Sequence, residues 1–332
     1  MTIGADPGSS TRSLTDDAGS GWGRVMHVAV VGMGALGRVY GVRLALRAGV
    51  RVTFVLRPGR GPEPLRLTRI DGDGAQEEVR APDVDRLVPA DAEAILVCVR
   101  AEQLDDSLER LLAATRVPIL MLTPVLPHDL DRLTRAHGTR LRIAMPGVVA
   151  YVTADGSCRY WLPSVAPTLI DAAPPIEDVV QRLSQALEVA GFGGRLEAGV
   201  RETNPATTIS FIPLAMGVDA AGGIVALLKD RALLRVTLDA VAEGLALAAR
   251  IGRTPSWVAL MARFAGPTSL KVGMAIARRR APEALTYVEE HFGRKLHAQN
   301  VTMARAIVAL ADEERTGAKA LRQLFARLEG AA

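Results

Sequence analysis

The run VAVVGMGALGRVYG at residues 28–41 constrains this chain of 332 residues more than any other feature. Four apolar residues, Val28 to Val31, give way to Gly32-x-Gly34-x-x-Gly37, and a helical pattern follows. A bare GxGxxG arises often by chance. Set between a strand and a helix, it describes a turn that presents the helix N-terminal N–H groups to a pyrophosphate. Gly32 allows the tight turn, Gly34 lets backbone approach phosphate, and Gly37 lets the helix pack closely. Met33, Ala35 and Leu36 complete the turn and join the expected cofactor contacts. Three glycines in an ordinary βα turn are the competing account, and the context on both sides weighs against it.

The chain is long enough for two domains with cores of their own. Hydrophobic residues make up 49% and charged residues 23%, as in ordinary soluble globular proteins. A formal charge of +4 and only 4% aromatics leave no basic, aromatic platform for nucleic acid. Arg278–Arg280 reads as a solvated helix end. Two cysteines, Cys98 and Cys158, are too few for a disulfide framework, and a reducing cytoplasm is expected. The five histidines show no metal-ligand spacing, and neither GxSxG nor CxxC occurs. Thr207 to Leu228 is nearly uncharged, yet Asp219, Pro213 and three glycines argue for a buried helix and turn rather than a membrane span.

The N-terminal half alternates strand and helix. A strand at 26–31 precedes a helix at about 35–48 ended by Gly49, then a strand at 51–56. Edge strands are expected near 65–70 and 76–80, a buried strand at 94–99, a helix at 101–114, and a buried strand in VPILML ending at Thr123-Pro124. GVVAYVT and SCRYWLP suit a hairpin on the far edge of the sheet. This alternation predicts a doubly wound, Rossmann-like parallel sheet. Pro174-Pro175 marks a break before a helix at 176–190. Beyond about residue 200 only helices are expected, at 205–220, 229–250, 255–264, 268–280, 282–297, 299–314 and 318–329. The expected organisation is a disordered tail at 1–25, a nucleotide domain at 26–198 and an all-helical domain at 199–332, with the active site in the cleft between the domains. Met26, directly before the first strand, is a candidate translation start.

An NAD-binding unit of this kind usually carries Asp or Glu at the end of its second strand. Here RVTFVL ends in Arg57, with Arg60 beyond it. A guanidinium there favours the adenosine 2′-phosphate. NADP(H) is therefore the expected cofactor, with solvated loop arginines as the bland alternative.

MHVAVVGMGALGRVYGVRLALRAGVRVTFVLRP resembles the opening of the ketopantoate reductase (2-dehydropantoate 2-reductase) family. VCVRAEQLDDSLERL is similar to that family's strand, V-K-A-x-Q and helix, and FIPL is similar to its N-P-L segment. The resemblance implies an NADPH-dependent reductase that transfers hydride to a small 2-oxo acid or related ketone. It also departs from the family pattern. The lysine of V-K-A-x-Q is Arg100, while Gln103 matches. The Asn-Gly after the next strand is replaced around Thr123. The catalytic lysine falls at Asn204, a family asparagine at Thr208, the substrate-binding serine at Ser269, and the glutamate at Gln299. Asn204 before Pro205 also reads as a helix N-cap. Gln299 and Asn300 are by default exposed helix positions.

Tyr287, His291 and Lys295 share one helix face, where His291 is a candidate acid, though a polar surface explains the spacing as well. Glu289, Glu290 and Arg294 read as a solvated salt-bridge face. Three functions stand open: a reductase of this type, a related dehydrogenase working oxidatively, and a non-catalytic NADP-binding or regulatory protein. A homodimer is compatible with the resemblance, whose members occur in more than one assembly state.

Overall fold

Val28 and Val30 pack into one apolar cluster, whereas Ala29 and Val31 pack into another on the opposite side. A strand buried on both faces belongs inside a covered parallel sheet. The computed structural model shows that sheet. It describes residues 25–59, 61, 63–71, 74–163, 166–254, 266, 268–272 and 296–330. The expected tail before residue 25, Arg60, Arg278–Arg280, Tyr287, Glu289, Glu290, His291, Arg294 and Lys295 lie outside the described residues. So do most of the helices expected at 255–264, 268–280 and 282–297.

The main sheet has eight strands. In chain order they are β1 (His27–Val31), β2 (Arg51–Val55), β5 (Asp83–Asp85), β6 (Ala94–Val97), β7 (Ile119–Met121), β8 (Leu141–Met145), β11 (Leu169–Asp171) and β12 (Arg195–Glu197). Their spatial order is β12-β11-β8-β7-β6-β1-β2-β5. All neighbours are parallel except β8 with β11. Helix α1 (Ala35–Ala48) follows β1, α2 (Asp106–Ala113) follows β6, α3 (Pro127–His137) follows β7, and α4 (Asp178–Val189) precedes β12. β1 connects toward β2, and β6 connects the other way toward β7. The order reverses between β1 and β6, the position where sheets of this class bind ligands.

The remaining strands, β3 (Leu65–Arg69), β4 (Gln76–Val79), β9 (Val149–Val152) and β10 (Cys158–Trp161), form a second sheet in the order β4-β3-β10-β9. They are therefore not edges of the main sheet, as the sequence suggests. The reason lies in α1, whose residues Gly37 to Leu44 are all buried. One side of α1 meets the main sheet, and the other needs a cover that Leu65, Leu67, Cys158 and Tyr160 provide. Two charged residues hide this from a periodicity argument. Arg43 is buried, with its guanidinium bonded to Ala190 O at 2.8 Å, Glu77 Oε1 at 3.0 Å and Tyr160 Oη at 2.7 Å. Such pairing is what lets a charge stay inside.

Other segments also differ from the sequence pattern. Residues 127–137 form α3, started by Pro127 at its first position, where no element is expected. The helix expected at 101–114 is a 3-10 turn, Ala101–Gln103, and then α2, broken where Asp105 caps the Leu108 N–H at 3.0 Å. The helix expected from residue 205 begins five residues earlier.

After β12 the described chain is helical: α5 (Val200–Ala221), α6 (Ile224–Lys229), α7 (Arg231–Ile251), α8 (His297–Glu313) and α9 (Lys319–Glu329), with residues 268–272 also helical. Gly222 and Gly223 turn the chain between α5 and α6, as expected for a buried helix followed by a turn. No helix among the described residues is long and apolar enough to cross a membrane. Helices α5, α7, α8 and α9 share a core of Ile209, Met216, Leu247, Met303, Ile307 and Leu324. Each buried aliphatic side chain of this kind contributes roughly 1.5–3 kcal/mol. Ala101 and Leu126, from the loops after β6 and β7, belong to that same core, so the helices are seated on the carboxyl ends of the strands.

Candidate functional site

At the β1–α1 turn each glycine answers to a different contact. Gly32 has φ +99°, and a Cβ there would lie 2.8 Å from Cys98 O. At Gly37 a Cβ would lie 1.9 Å from the Gly32 carbonyl oxygen. Gly34 is the opposite case: it is exposed, and a Cβ there would meet nothing within 4 Å. Two glycines thus close the turn on itself, and one leaves open space before the helix N-terminus.

The turn is held from behind by a residue with no motif. Arg38 is buried, and its Nε donates to Met33 O at 3.1 Å. Its Nη1 donates to Gly156 O at 2.6 Å, and its Nη2 pairs with Glu63. Met33 itself faces the core, while Ala35 and Leu36 are half-buried at the first turn of α1. Cys98 is buried behind the turn, and burial pushes its thiol well above the ordinary range. It packs among the apolar residues of the sheet and α1.

At the end of β2, Arg57 is half exposed. Its Nη2 donates to Gln103 O at 3.0 Å and lies 3.0 Å from Asp105 Oδ2. Partial burial acts to raise the Asp105 carboxyl, but the Leu108 N–H and the Arg57 charge together hold it below its usual value. Beside them Arg86, just beyond β5, donates to Leu56 O at 3.4 Å and also to Arg57 O. Arg100 pairs with Glu102 at 3.0 Å, and Gln103 Oε1 accepts from the Arg100 N–H at 3.0 Å. Thr123 is fully buried and donates its hydroxyl to Val99 O at 2.8 Å. It ties the ends of β6 and β7 together.

The helical half divides its candidate residues. Asn204 lies inside α5, whose N-cap is Gly199, so it is not the cap the sequence suggests. Leaving out one backbone bond at Pro205 is tolerated because the helix is packed along its length. Asn204 is 5% exposed, and its Nδ2 donates to Ala144 O of β8 at 3.1 Å. Its Oδ1 is buried without a partner among the described residues, as is Thr207 Oγ1 three residues on. Residues three apart share a helix face. Thr208 is spent on its own helix, donating to Asn204 O at 2.9 Å.

Gln299, in contrast, sits at the start of α8 and accepts from the Ala101 N–H at 3.4 Å. Beside it, Asp219 Oδ2 accepts from His297 Nδ1 at 3.1 Å and from Asn300 Nδ2 at 2.9 Å. Asn300 is 1% exposed, which corrects its expected surface position. Ser269 exchanges hydrogen bonds with Gly266, and its neighbour Leu270 packs on the cluster of Val218 and Leu234. Asp219 and Asn204 are fifteen residues apart on one helix, about 22 Å at 1.5 Å per residue. Asn204 and Thr208 therefore form one group, Gln299 lies with Asp219, and Ser269 is placed toward that second end. The pattern D-x-x-L at 105–108 signals the Asp105 cap, and Asp219 stands out as the charge within the run 207–228; nothing in the sequence marks Arg38 or Thr207.

Residues 28–143 match the family model described as Ketopantoate reductase PanE/ApbA. No curated protein sequence matches the chain. Among solved structures, a 2-dehydropantoate 2-reductase from Geobacter metallireducens GS-15 is similar at 19% identity and a TM-score of 0.66, covering 92% of this chain and 100% of that one. A D-mandelate dehydrogenase solved with NADH and anilino(oxo)acetate is similar at 15% identity and a TM-score of 0.63, over 92% of this chain and 98% of that one. A dimeric ketopantoate reductase from Staphylococcus aureus is similar at 12% identity and a TM-score of 0.63, over 92% and 98%. At such identities the likeness establishes the fold: a Rossmann-like domain followed by helices, as in ketopantoate reductases.

Proposed function

We propose that this chain is an NADPH-dependent reductase of the ketopantoate reductase type, acting on the carbonyl of a small 2-oxo acid or related ketone. The observation that carries the reading is the open face of Gly34, at the N-terminus of α1 and at the point where the strand order reverses. A nicotinamide dinucleotide fits there because the turn leaves room for backbone to approach phosphate. Gly32, Gly34 and Gly37 shape the turn, and the N–H groups at Ala35 and Leu36 face the phosphates. Arg57 holds the 2′-phosphate at the end of β2. Arg100 and Gln103 border the same crevice, and Thr123 supports it from within.

Bound there, the reduced cofactor would supply hydride. The chain must then hold the carbonyl oxygen and stabilise the charge that develops on it. In this reading the Thr207 hydroxyl donates to that oxygen, and Asn204 Oδ1 accepts from the hydroxyl of the product. Both are buried polar atoms with no hydrogen-bond partner among the described residues. Neither releases a proton at neutral pH, so the proton comes from water or another group. The Staphylococcus relative supports a homodimer for this chain, and a reducing cytoplasm remains the compartment the two buried thiols fit.

A second reading has an observation of its own. Asn204 is buried against β8 and Thr208 is spent within α5, which suits a nucleotide-binding protein that has lost the chemistry. Titration of the purified protein with NADPH and NADH, followed by loss of nicotinamide absorbance with a panel of 2-oxo acids, separates the two. NADPH should bind more tightly, and Arg57→Ala should remove most of that preference. Equal affinities in the wild type would overturn the cofactor assignment. Tight binding with no turnover on any carbonyl would favour the second reading.

A further inference from the structure

The sequence places no carboxylate at the end of β2, where a nicotinamide site that prefers NAD carries one. The structure supplies one from elsewhere. Asp105 caps α2, which follows β6, and its carboxylate reaches Arg57 at 3.0 Å. We infer that Asp105 is a specificity-determining residue: an internal anion that competes with the cofactor's 2′-phosphate for Arg57 and offers itself to the ribose hydroxyls when no phosphate is present. The inference rests on the nucleotide reading above and adds a residue that the reading does not use.

The geometry makes the competition direct. Both acceptors that Arg57 touches through Nη2, Gln103 O and Asp105 Oδ2, lie on the segment between β6 and α2. The side chain is half exposed, so a phosphate can reach it from solvent. A dianionic phosphate that binds this guanidinium, whether at Nη2 in place of Asp105 or through the other donors, comes close to the Asp105 charge, which costs binding energy. A ribose without the phosphate meets no such repulsion. A carboxylate is an acceptor only, and two ribose hydroxyls are donors suited to it. Arg86, bonded to the carbonyl of Arg57, adds a second positive charge that keeps the balance toward phosphate. The pair therefore acts in both directions, with Arg57 favouring NADPH and Asp105 favouring NADH. The fold itself hosts NADH in the D-mandelate dehydrogenase described above.

Asp105→Asn separates this role from the capping role, because asparagine caps a helix as well as aspartate does. Direct titration of the wild type and the variant with each nucleotide, by quenching of intrinsic fluorescence, reads both arms. In the variant NADPH should bind about threefold to fivefold more tightly, the size expected for removing one exposed charge partner. NADH should bind more weakly by a similar factor, so the two affinities move in opposite directions. Thermal melting at an unchanged midpoint shows that the cap is intact. Unchanged affinities for both nucleotides, or losses of equal size for both, would overturn the inference while leaving the nucleotide reading in place. A wild type that binds neither nucleotide would overturn both, and that result is visible before any variant is made.

Discussion

The turn at residues 32–37 and the buried face of α5 are both candidate functional surfaces, but they are built on different principles. The turn is a candidate built from backbone, with side chains excluded: two glycines are forced by contacts of 2.8 and 1.9 Å, and the third faces open space. On α5 the candidate groups are side chains, and Asn204 and Thr207 stand out only because of what β8 and the neighbouring helices put around them. A backbone site is local and shows in spacing. A side-chain site is assembled across the chain and shows only after folding. The same contrast runs through the comparisons, since the family model covers 28–143 and the helical half is recognised by shape alone.

The sharpest way to test this contrast is to put the same methyl group on two glycines of one turn. Gly37→Ala drives a Cβ against the Gly32 carbonyl, backbone against backbone, with no flexible side chain to yield. A loss of at least ~3 kcal/mol is expected, read as a large fall in thermal midpoint or as failure to fold. Gly34→Ala meets no atom, and its φ of −77° suits any residue. Its stability should change by less than ~1 kcal/mol, while NADPH affinity falls about tenfold or more, ~1.4 kcal/mol. If Gly34→Ala bound NADPH as the wild type does, the open face would not be the phosphate site.

Asp219→Ala carries the comparison into the helical half. The substitution leaves the amide of Asn300 buried without a partner, whereas His297 is exposed enough to turn to water. An orphaned buried donor costs about 1–3 kcal/mol. Chemical denaturation should show a loss in that range, with NADPH affinity unchanged because the turn is untouched. A fall in nucleotide affinity as large as the fall in stability would show that the Gln299–Ala101 bond couples the two halves more tightly than their separate cores suggest.

What the sequence made legible follows the same line. Strands β1, β2, β6 and β7, the tight turn at Gly32, the close packing at Gly37 and the end of α1 at Gly49 all depend on neighbours within a few residues. The second sheet was not legible because it exists to cover α1, whose buried Arg38 and Arg43 look like surface residues in any periodicity. The start of α5 was misplaced because Asn204-Pro205 satisfies a local capping rule that the packing of Val200 against the main sheet overrides. Asp105 shows the limit most clearly. Its capping role is readable from D-x-x-L, but its reach to Arg57 depends on β6 lying two strands from β2.

Asn204→Ala is expected to change stability as little as Gly34→Ala does, and it tests the α5 surface itself. The substitution loses the bond to Ala144 O, typically 0.5–1.5 kcal/mol, and removes a buried oxygen whose missing partner costs about 1–3 kcal/mol. The two nearly cancel, and a net change within ~1 kcal/mol of wild type is expected, with some stabilisation in reach. If Oδ1 is kept unpaired in order to meet substrate, turnover should still fall, by about tenfold for a hydrogen bond of ~1.4 kcal/mol, at unchanged NADPH affinity. A stable, nucleotide-binding, slow variant is the pattern of a polar atom retained at a cost for function. The reverse pattern, several kcal/mol lost with turnover intact, would make Asn204 a packing residue of α5 against β8 and leave the turn as the stronger candidate surface among the described residues.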